Sequence, residues 1–351
     1  GAVGIVIGLS PDMLATMGTN TYNSIAKYPL IAIPLFILTG LIFERSGVAL
    51  RLVRFAQALI GPRHGGLALV AVLVCMIMGG MSGSGPADAA AVAMVMLPSM
   101  TKAGYPKPFS ATLIAASAST AILIPPSVAL ILYSIVVPAI PALFAPVLIL
   151  GGLRSGLFTP TEAAVVAVAY GAIVGLFLTR ELSLRDLWEL LGEAAIISGV
   201  VMLIIALAGI FAWAGTMLGT FRHLAEWIIS LTDNGVLLLI LVMLAVLVAG
   251  MLLDAISIYL IMMPILIPVM QHFEWNPVWF GILLAMNIAI GQFTPPVAVN
   301  LMVTTEIAKI RLEHTIGWAL LFVVAMGCAL ALVAIFPAIA LWLPGVLGYN
   351  V

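Results

Sequence analysis

The chain is 351 residues long, 64% hydrophobic and 8% charged, with a formal net charge of -1 and a mean hydropathy of +1.28. These values lie far outside the range of a soluble domain and describe a polytopic membrane protein. They exclude a nucleic-acid partner, because no basic stripe exists to release counterions from a phosphate backbone.

The chain opens at Gly1 on a short apolar piece without a Met, a basic n-region or a cleavage site, which reads as a clipped membrane span. Residues 10–29 read as a water-facing connection, and 43–66, "FERSGVALRLVRFAQALIGPRHGG", as a second. Within the latter, Leu50, Val53, Leu59 and Ile60 recur at helical spacing with Arg51, Arg54 and Gln57 between them. The pattern fits an amphipathic helix lying at the interface, or an ordinary connecting helix with a solvated face. Arg45, Arg51, Arg54 and Arg63 against Glu44 place it on the cytoplasmic side.

Beyond it, charge-free runs cover 108–153, 194–221, 234–253, 275–305 and 315–351. Each reaches the roughly 20 residues that an α-helix needs to cross hydrocarbon. They are apolar on every face, unlike the alternating strands of a barrel, so helices are the spanning element. About ten to twelve membrane-inserted segments are expected, some of them partial. The polar connections between them fall at 101–108, 179–193, 221–227, 271–277 and 306–314. Cys75 and Cys328 lie in apolar runs and read as small hydrophobes packed between helices. The four histidines sit in loops without metal-ligand spacing, and no phosphate-cradling G-x-x-x-x-G-K-[ST] motif occurs.

An internal repeat organises the chain. "GGLALVAVLVCMIMGGMSGSGPADAAAVAMVMLPSM" and "NGVLLLILVMLAVLVAGMLLDAISIYLIMMPILIPVM" run through the same events in order: an apolar helix, glycine, a lone aspartate, then a proline ten positions on. Asp88 is followed by Pro98, and Asp254 by Pro264. Each half then meets a double proline in mid-span, Pro125 and Pro126 in "AILIPPSVALILYS", Pro295 and Pro296 in "QFTPPVAVNLMVTT". Matched interrupted helices in two halves point to a secondary transporter with its site between the repeats, whether the halves are inverted or parallel. Proline removes a donor and unhooks a carbonyl one turn earlier, and in hydrocarbon the freed groups need a partner. A small hard cation satisfies such carbonyls, which puts Ser82, Ser84 and Thr294 beside candidate ion sites.

Other polar residues carry two readings each. Asp88 and Asp254 are either helix caps or direct participants in the site. Asn287 and Asn300 either face substrate or act as interhelical glue. Glu162, three after Thr159, fits a capping box better than a site, and Arg154 fits an interfacial anchor or a carboxylate partner. An intramembrane enzyme would need a nucleophile with a base, and Ser84 near Asp88 has no histidine at membrane depth, so no catalytic residue is expected.

The segments "YPLIAIPLFILTGLIFERSG", "SGSGPADAAA", "ILIPPSVALILY", "SGLFTPTEAAVVAVAYG" and "NIAIGQFTPPVAVNLMV" follow one another over nearly the whole chain. Together they resemble the large membrane (permease) subunit of tripartite ATP-independent periplasmic (TRAP) transporters, the DctM-like family. The resemblance implies an all-α polytopic protein of the bacterial inner membrane, with two repeats, each a helical hairpin plus a Pro-broken helix, in an elevator-type transport domain held by a scaffold. It implies sodium-driven import of an organic acid, a dicarboxylate, sialic acid or similar carboxylate, without a further cofactor. It also implies two partners, a small four-helix membrane subunit and a periplasmic substrate-binding protein. Carried over by motif, one sodium site falls at Ser82, Ser84 and Gly85 with Ala121, Ile124 and Pro125. The other falls at Gly250 with Gly291, Thr294 and Val297. On the direct-role readings of the polar residues above, substrate would meet Asp88, Asp254, Asn287 and Asn300.

The corresponding division of the chain is 1–66, scaffold spans and the interfacial helix; 67–137, the first transport repeat, broken at 121–126; 138–234, scaffold spans and a connecting helix; 235–310, the second repeat, broken at 291–296; and 311–351, a C-terminal span. Two features depart from the family. Gly85 and Pro86 stand where a second serine is usual, and Ala121 where glycine is usual. In addition, Val137 passes to Pro138 and Ala139 where relatives carry an additional span and polar arm, by loss of that connector or by its omission from the sequence. The alternative function is a stand-alone two-repeat sodium/anion symporter that works without a binding protein.

Overall fold

The computed structural model describes residues 13, 15–46, 48–61, 63–82, 84–124, 160–178 and 180–346. Pro125, Pro126, Arg154, Thr159 and the connector near 137–141 lie outside the described residues, as does the side chain of Ser82.

The described residues form helices joined by short turns. In chain order these are α1 (Thr16–Ile25), α2 (Ala32–Arg45), α3 (Val48–Ile60), α4 (Gly66–Ser82), α5 (Gly85–Lys102), α6 (Lys107–Ser119), α7 (Pro160–Ile173), α8 (Leu184–Met217), α9 (Thr220–Ile229), α10 (Gly235–Leu252), α11 (Ala255–His272), α12 (Pro277–Gly291), α13 (Val299–Ala308), α14 (Ile316–Ile335) and α15 (Ala338–Val346). Among them, four stretches are long and apolar enough to cross a membrane: α8, α10, α11 and Leu312–Ile335. α4, α12 and α13 carry shorter apolar stretches, as expected of segments that enter and stop.

The polar stretch 179–193 and the charge-free run after it, separate in the sequence reading, are largely one element. α8 runs 34 residues without interruption, about 51 Å at 1.5 Å per residue and well beyond the hydrocarbon thickness. It starts sharply because Ser183 and Asp186 form a capping box, each side chain accepting from the other's backbone N–H. Outside the apolar zone its first turns hold ion pairs: Arg45 reaches Glu193 at 3.0 Å, and Arg51 reaches Glu181, just before the helix, at 3.6 Å. These exposed pairs contribute little energy but fix α2, α3 and the start of α8 at one end of the molecule. On α3 the residues turned inward are Val53 and Ala56, whereas Leu59 is 67% exposed and Leu50 38%. The inward stripe of this amphipathic helix is therefore offset from the one the leucines suggested. Cys75 is buried as expected, but Cys328 is exposed on α14.

Two cores form. One gathers α3, α4, α5 and α6; the other gathers α10, α11 and α12. A third cluster joins them, built from Ala115 and Ala116 of α6 with Ile290, Phe293, Ala298 and Leu301 around the second break. Lipid tails are as apolar as leucine, so helices associate here through close backbone approach and small residues. α6 is the clearest case: every residue from Ser110 to Ser119 is buried. Its hydroxyls are satisfied within the helix, Thr112 donating to the Pro108 carbonyl at 2.7 Å, Ser117 to Leu113 at 2.7 Å and Ser119 to Ala115 at 2.8 Å, so small polar residues are buried there without orphaned donors.

The trace also sets the ends of the two hairpins. α4 starts just after Arg63 and packs along α5, so the hairpin's open end, with Lys102 and Lys107, lies at the same end as Arg45 and Arg51. α8 then crosses to the other end, where Arg222 pairs with Glu226 on α9 at 2.8 Å. α10 and α11 start and finish there. α12 descends from that end to its break, and α13 ends with Ile307 and Ala308 beside the base of α5. The C-terminal stretch, read as one span, is two helices, α14 and α15, separated at Pro337.

Candidate ion and substrate site

Glycine decides where each hairpin meets its broken helix. A methyl group built on Gly79 of α4 would lie 2.7 Å from Ala121 Cα and 2.8 Å from its Cβ. In the other half, one built on Gly250 of α10 would lie 3.2 Å from Gly291 Cα, and one built on Gly291 would lie 2.6 Å from both Cα and the carbonyl carbon of Gly250. Ala121 and Gly291 each lie fourteen residues beyond the starts of α6 and α12, Lys107 and Pro277. Ala121 and Gly291 therefore stand at the same distance along the chain from the starts of α6 and α12. Ala121 departs from the glycine of the family pattern, and the geometry gives the physical reason this is tolerated: the space its methyl needs is left by Gly79 opposite.

At both contacts a helix is giving up its regular hydrogen bonds. α6 passes into a 3-10 turn at Thr120–Ile122, and the Leu123 N–H bonds to the Thr120 carbonyl at 2.9 Å. Ile124 packs close to Gly80, which would meet its Cγ2 at 3.3 Å if it carried a Cβ. α12 stops at Gly291; Thr294 N–H bonds to the Gly291 carbonyl at 3.0 Å, Pro295 and Pro296 are joined by a cis peptide, and Ala298 takes a left-handed φ of 51° that non-glycine residues rarely adopt. The Ala298 N–H reaches the Met251 carbonyl at the second hairpin's tip, at 3.3 Å, so Val297 is held against that tip. The Thr294 hydroxyl donates to the Ile290 carbonyl at 2.5 Å, which leaves its oxygen lone pairs available to a cation.

Between the two contacts lies a polar cluster that the sequence reading identified only in part. Asn300 is fully buried, and its Nδ2 donates to Ser119 Oγ at 2.8 Å and to Gln292 Oε1 at 3.3 Å. A Cβ on Gly85 would lie 2.8 Å from Asn300 Nδ2 and 3.0 Å from Gln292 Oε1. The first hairpin's tip therefore rests on the second half's break, and Gly85, in place of a serine, is what allows the approach. Ser119 and Gln292 carried no distinguishing pattern beyond their positions beside the breaks.

The paired aspartates turn out unlike each other. Asp254 is exposed and caps α11, accepting from Ile256 N–H at 2.9 Å and Ser257 N–H at 3.2 Å. Asp88 sits in the first turn of α5 behind the cap position, which Ser84 takes, and it is 1% exposed. Asn287, also buried, donates to the Met243 carbonyl at 2.5 Å, stitching α12 to α10. Among the described residues, no group of three or more His, Cys, Asp or Glu side chains is placed to hold a metal ion. Carbonyls and hydroxyls are the oxygen donors at the breaks, a hard set suited to alkali cations.

Residues 2–141 and 135–339 match the family described as the tripartite ATP-independent periplasmic transporter, DctM component. The chain belongs to the DctM family. It is 33% identical to the C4-dicarboxylate TRAP transporter large permease protein DctM of Pseudomonas aeruginosa, over 100% of this chain and 94% of that one. It is 32% identical to the 2,3-diketo-L-gulonate TRAP transporter large permease protein YiaN of Escherichia coli, over 92% and 88% of the two chains. With the isethionate TRAP transporter permease protein DctMQ of Oleidesulfovibrio alaskensis it shares 30% identity over 98% of this chain and 64% of that one. The chain is accordingly a multi-pass membrane protein of the TRAP large-permease class. The DctM match falls in two pieces that meet at 135–141, and the alignment with the Pseudomonas protein spans 401 positions against the 351 residues of this chain. That relative therefore has residues for which this chain has no counterpart.

Proposed function

We propose that this chain is the membrane-embedded transport subunit of a sodium-coupled importer of organic acids in a bacterial inner membrane, working by an elevator motion. The observation that carries the reading is the pair of close contacts, Gly79 on Ala121 and Gly250 on Gly291, at which a hairpin tip closes over the end of a broken helix. The two hairpins open toward opposite ends of the molecule, which supports inverted halves with ion sites near the midplane. One sodium site comprises the hairpin tip at Ser82, Ser84 and Gly85 with Ala121, Ile124 and Pro125. The second comprises Gly250, Gly291, Thr294 and Val297. The buried Asn300, Gln292 and Ser119 lie between them, and this is where the substrate anion meets the protein.

α1, α2, α7 and α8 form the wall against which the hairpins move. α7 and α8 present apolar faces, with Ile173 54% and Ile196 71% exposed, surfaces that suit lipid or a second membrane subunit. The names of the relatives favour the latter. Two are called large permeases, while the protein called simply a permease is much longer than this chain. A periplasmic binding protein delivers the substrate, whose class is that of the relatives' named cargoes, small organic anions.

Uptake in proteoliposomes, with and without co-expressed membrane and binding proteins, tests the reading. The expected result is uptake that needs both partners and a sodium gradient, with a Hill coefficient for sodium above one. Uptake by the chain alone would replace the reading with an independent sodium/anion symporter. Uptake driven by a proton gradient alone would remove the sodium sites.

A further inference from the structure

A cavity lies away from the breaks, at the open end of the first hairpin. It has a volume of about 530 Å³ and is lined by α5, the start of α6 and the end of α13. Its polarity is graded along one face of α5. Lys102, Thr101 and, from α6, Lys107 form one end, while Leu97 and Met94 form the other, with Ile307 as the facing wall. Met94 lies eight residues, about 12 Å, along the helix from Lys102, and it is 52% exposed. Among the described residues, no carboxylate lies within ion-pair distance of Lys102 or Lys107. Glu306 is next in sequence to Ile307 but does not line the cavity. Two ammonium groups thus share a cleft with no internal counter-charge, and an apolar trough leads from them along α5 to Met94.

We infer that this cavity is a binding site for one anionic phospholipid. The phosphodiester sits between Lys102 and Lys107 with the Thr101 hydroxyl as a further donor, and an acyl chain lies along Leu97 and Met94. Charge complementarity and the length of the trough both favour a lipid over a free anion, because a small anion would leave the apolar end unused. Basic clefts between helices at the positively charged membrane face are where acidic headgroups are held, and this end also carries Lys309 and Arg311, with Arg45 and Arg51 held in their ion pairs. The site lies at the base of a hairpin that the proposed motion would carry, so a bound lipid links the transport unit to the leaflet. The inference needs only the membrane placement of the chain and is independent of sodium coupling.

The test uses the purified full chain with any partners that accompany it, delipidated and returned to nanodiscs of phosphatidylcholine alone or with one fifth phosphatidylglycerol or cardiolipin. Thermal unfolding and native mass spectrometry are read on the wild type, on Lys102→Gln/Lys107→Gln, on Met94→Asp, and on Arg222→Gln as a control at the opposite end. The expected result is preferential retention of acidic lipid, with a higher Tm in acidic nanodiscs. Both effects should fall at least fivefold in the double lysine variant and in Met94→Asp, and persist in Arg222→Gln. Equal retention of acidic lipid by the wild type and the double variant would overturn the inference. So would inorganic phosphate or succinate reproducing the Tm shift in phosphatidylcholine, or Met94→Asp behaving as wild type, since either would make the cleft a site for a free anion. If the double variant does not fold, Met94→Asp and the competition by free anions decide.

Discussion

Replacing Gly291 with alanine probes the second hairpin contact most directly. The added methyl would stand 2.6 Å from two backbone atoms of Gly250 and 3.0 Å from its carbonyl oxygen. None of these atoms can rotate away, and carbon atoms rest at about 3.5–4.0 Å, so α10 and α12 must part by about 1 Å. Overpacking by one methyl costs about 1–3 kcal/mol. A binding constellation tolerates displacements of only about 0.5 Å, so the carbonyls beside Gly250 and Gly291 would lose their shared geometry. The expected loss in apparent sodium affinity is tenfold or more, about 1.4 kcal/mol. Gly250→Ala is milder, since its methyl meets Gly291 Cα at 3.2 Å and needs a shift of only a few tenths of an ångström; it should lose less than fivefold. Gly192→Ala serves as a control, because nothing lies within 4 Å of that position and removing a helical glycine gains up to about 1 kcal/mol. Sodium-titrated thermal unfolding reads all three variants, because a ion that binds only the folded state raises Tm with concentration. A sodium midpoint for Gly291→Ala equal to that of wild type, or a larger loss in Gly250→Ala, would refute the reasoning.

Thr294→Val keeps the shape and removes an oxygen at the break, so the apparent sodium affinity in uptake should fall while the yield of folded protein stays similar; unchanged sodium dependence would leave the hydroxyl with only its bond to Ile290. Asn287→Leu removes the donor to the Met243 carbonyl, and in a membrane interior such bonds contribute about 0.6 kcal/mol, up to about 1.7. A modest fall in Tm with the sodium midpoint intact is therefore expected, whereas loss of substrate affinity at normal Tm would give Asn287 a direct role. Asp254→Ala should cost about 0.5–2 kcal/mol through the lost cap of α11, and Asp254→Asn should restore most of it because asparagine caps equally well. If transport is abolished in Asp254→Asn at wild-type stability, the carboxylate acts in the site itself.

Much of this protein was determined by local pattern. Run length and all-round hydrophobicity determined the helical membrane class, because hydrocarbon admits only helices or closed barrels and a barrel strand would alternate apolar with polar residues. The order of glycine, aspartate and proline picked out the paired helices α4–α5 and α10–α11 and the stop of α12 at Gly291, since proline and glycine act on their own segment wherever it packs. Tertiary structure alone decided the rest. Asp88 and Asp254 look alike in sequence, yet Asp88 is buried four residues beyond the N-cap position, Ser84, whereas Asp254 is itself the exposed N-cap of α11. Ala121 reads as a departure until Gly79 is seen opposite. Ser119 and Gln292 bear no pattern, because their significance lies in meeting Asn300 across a contact between halves, and long-range approach leaves no local period. The same holds for Lys102, Lys107 and Met94: they lie on two helices, and only the packing of α5, α6 and α13 turns them into one cleft.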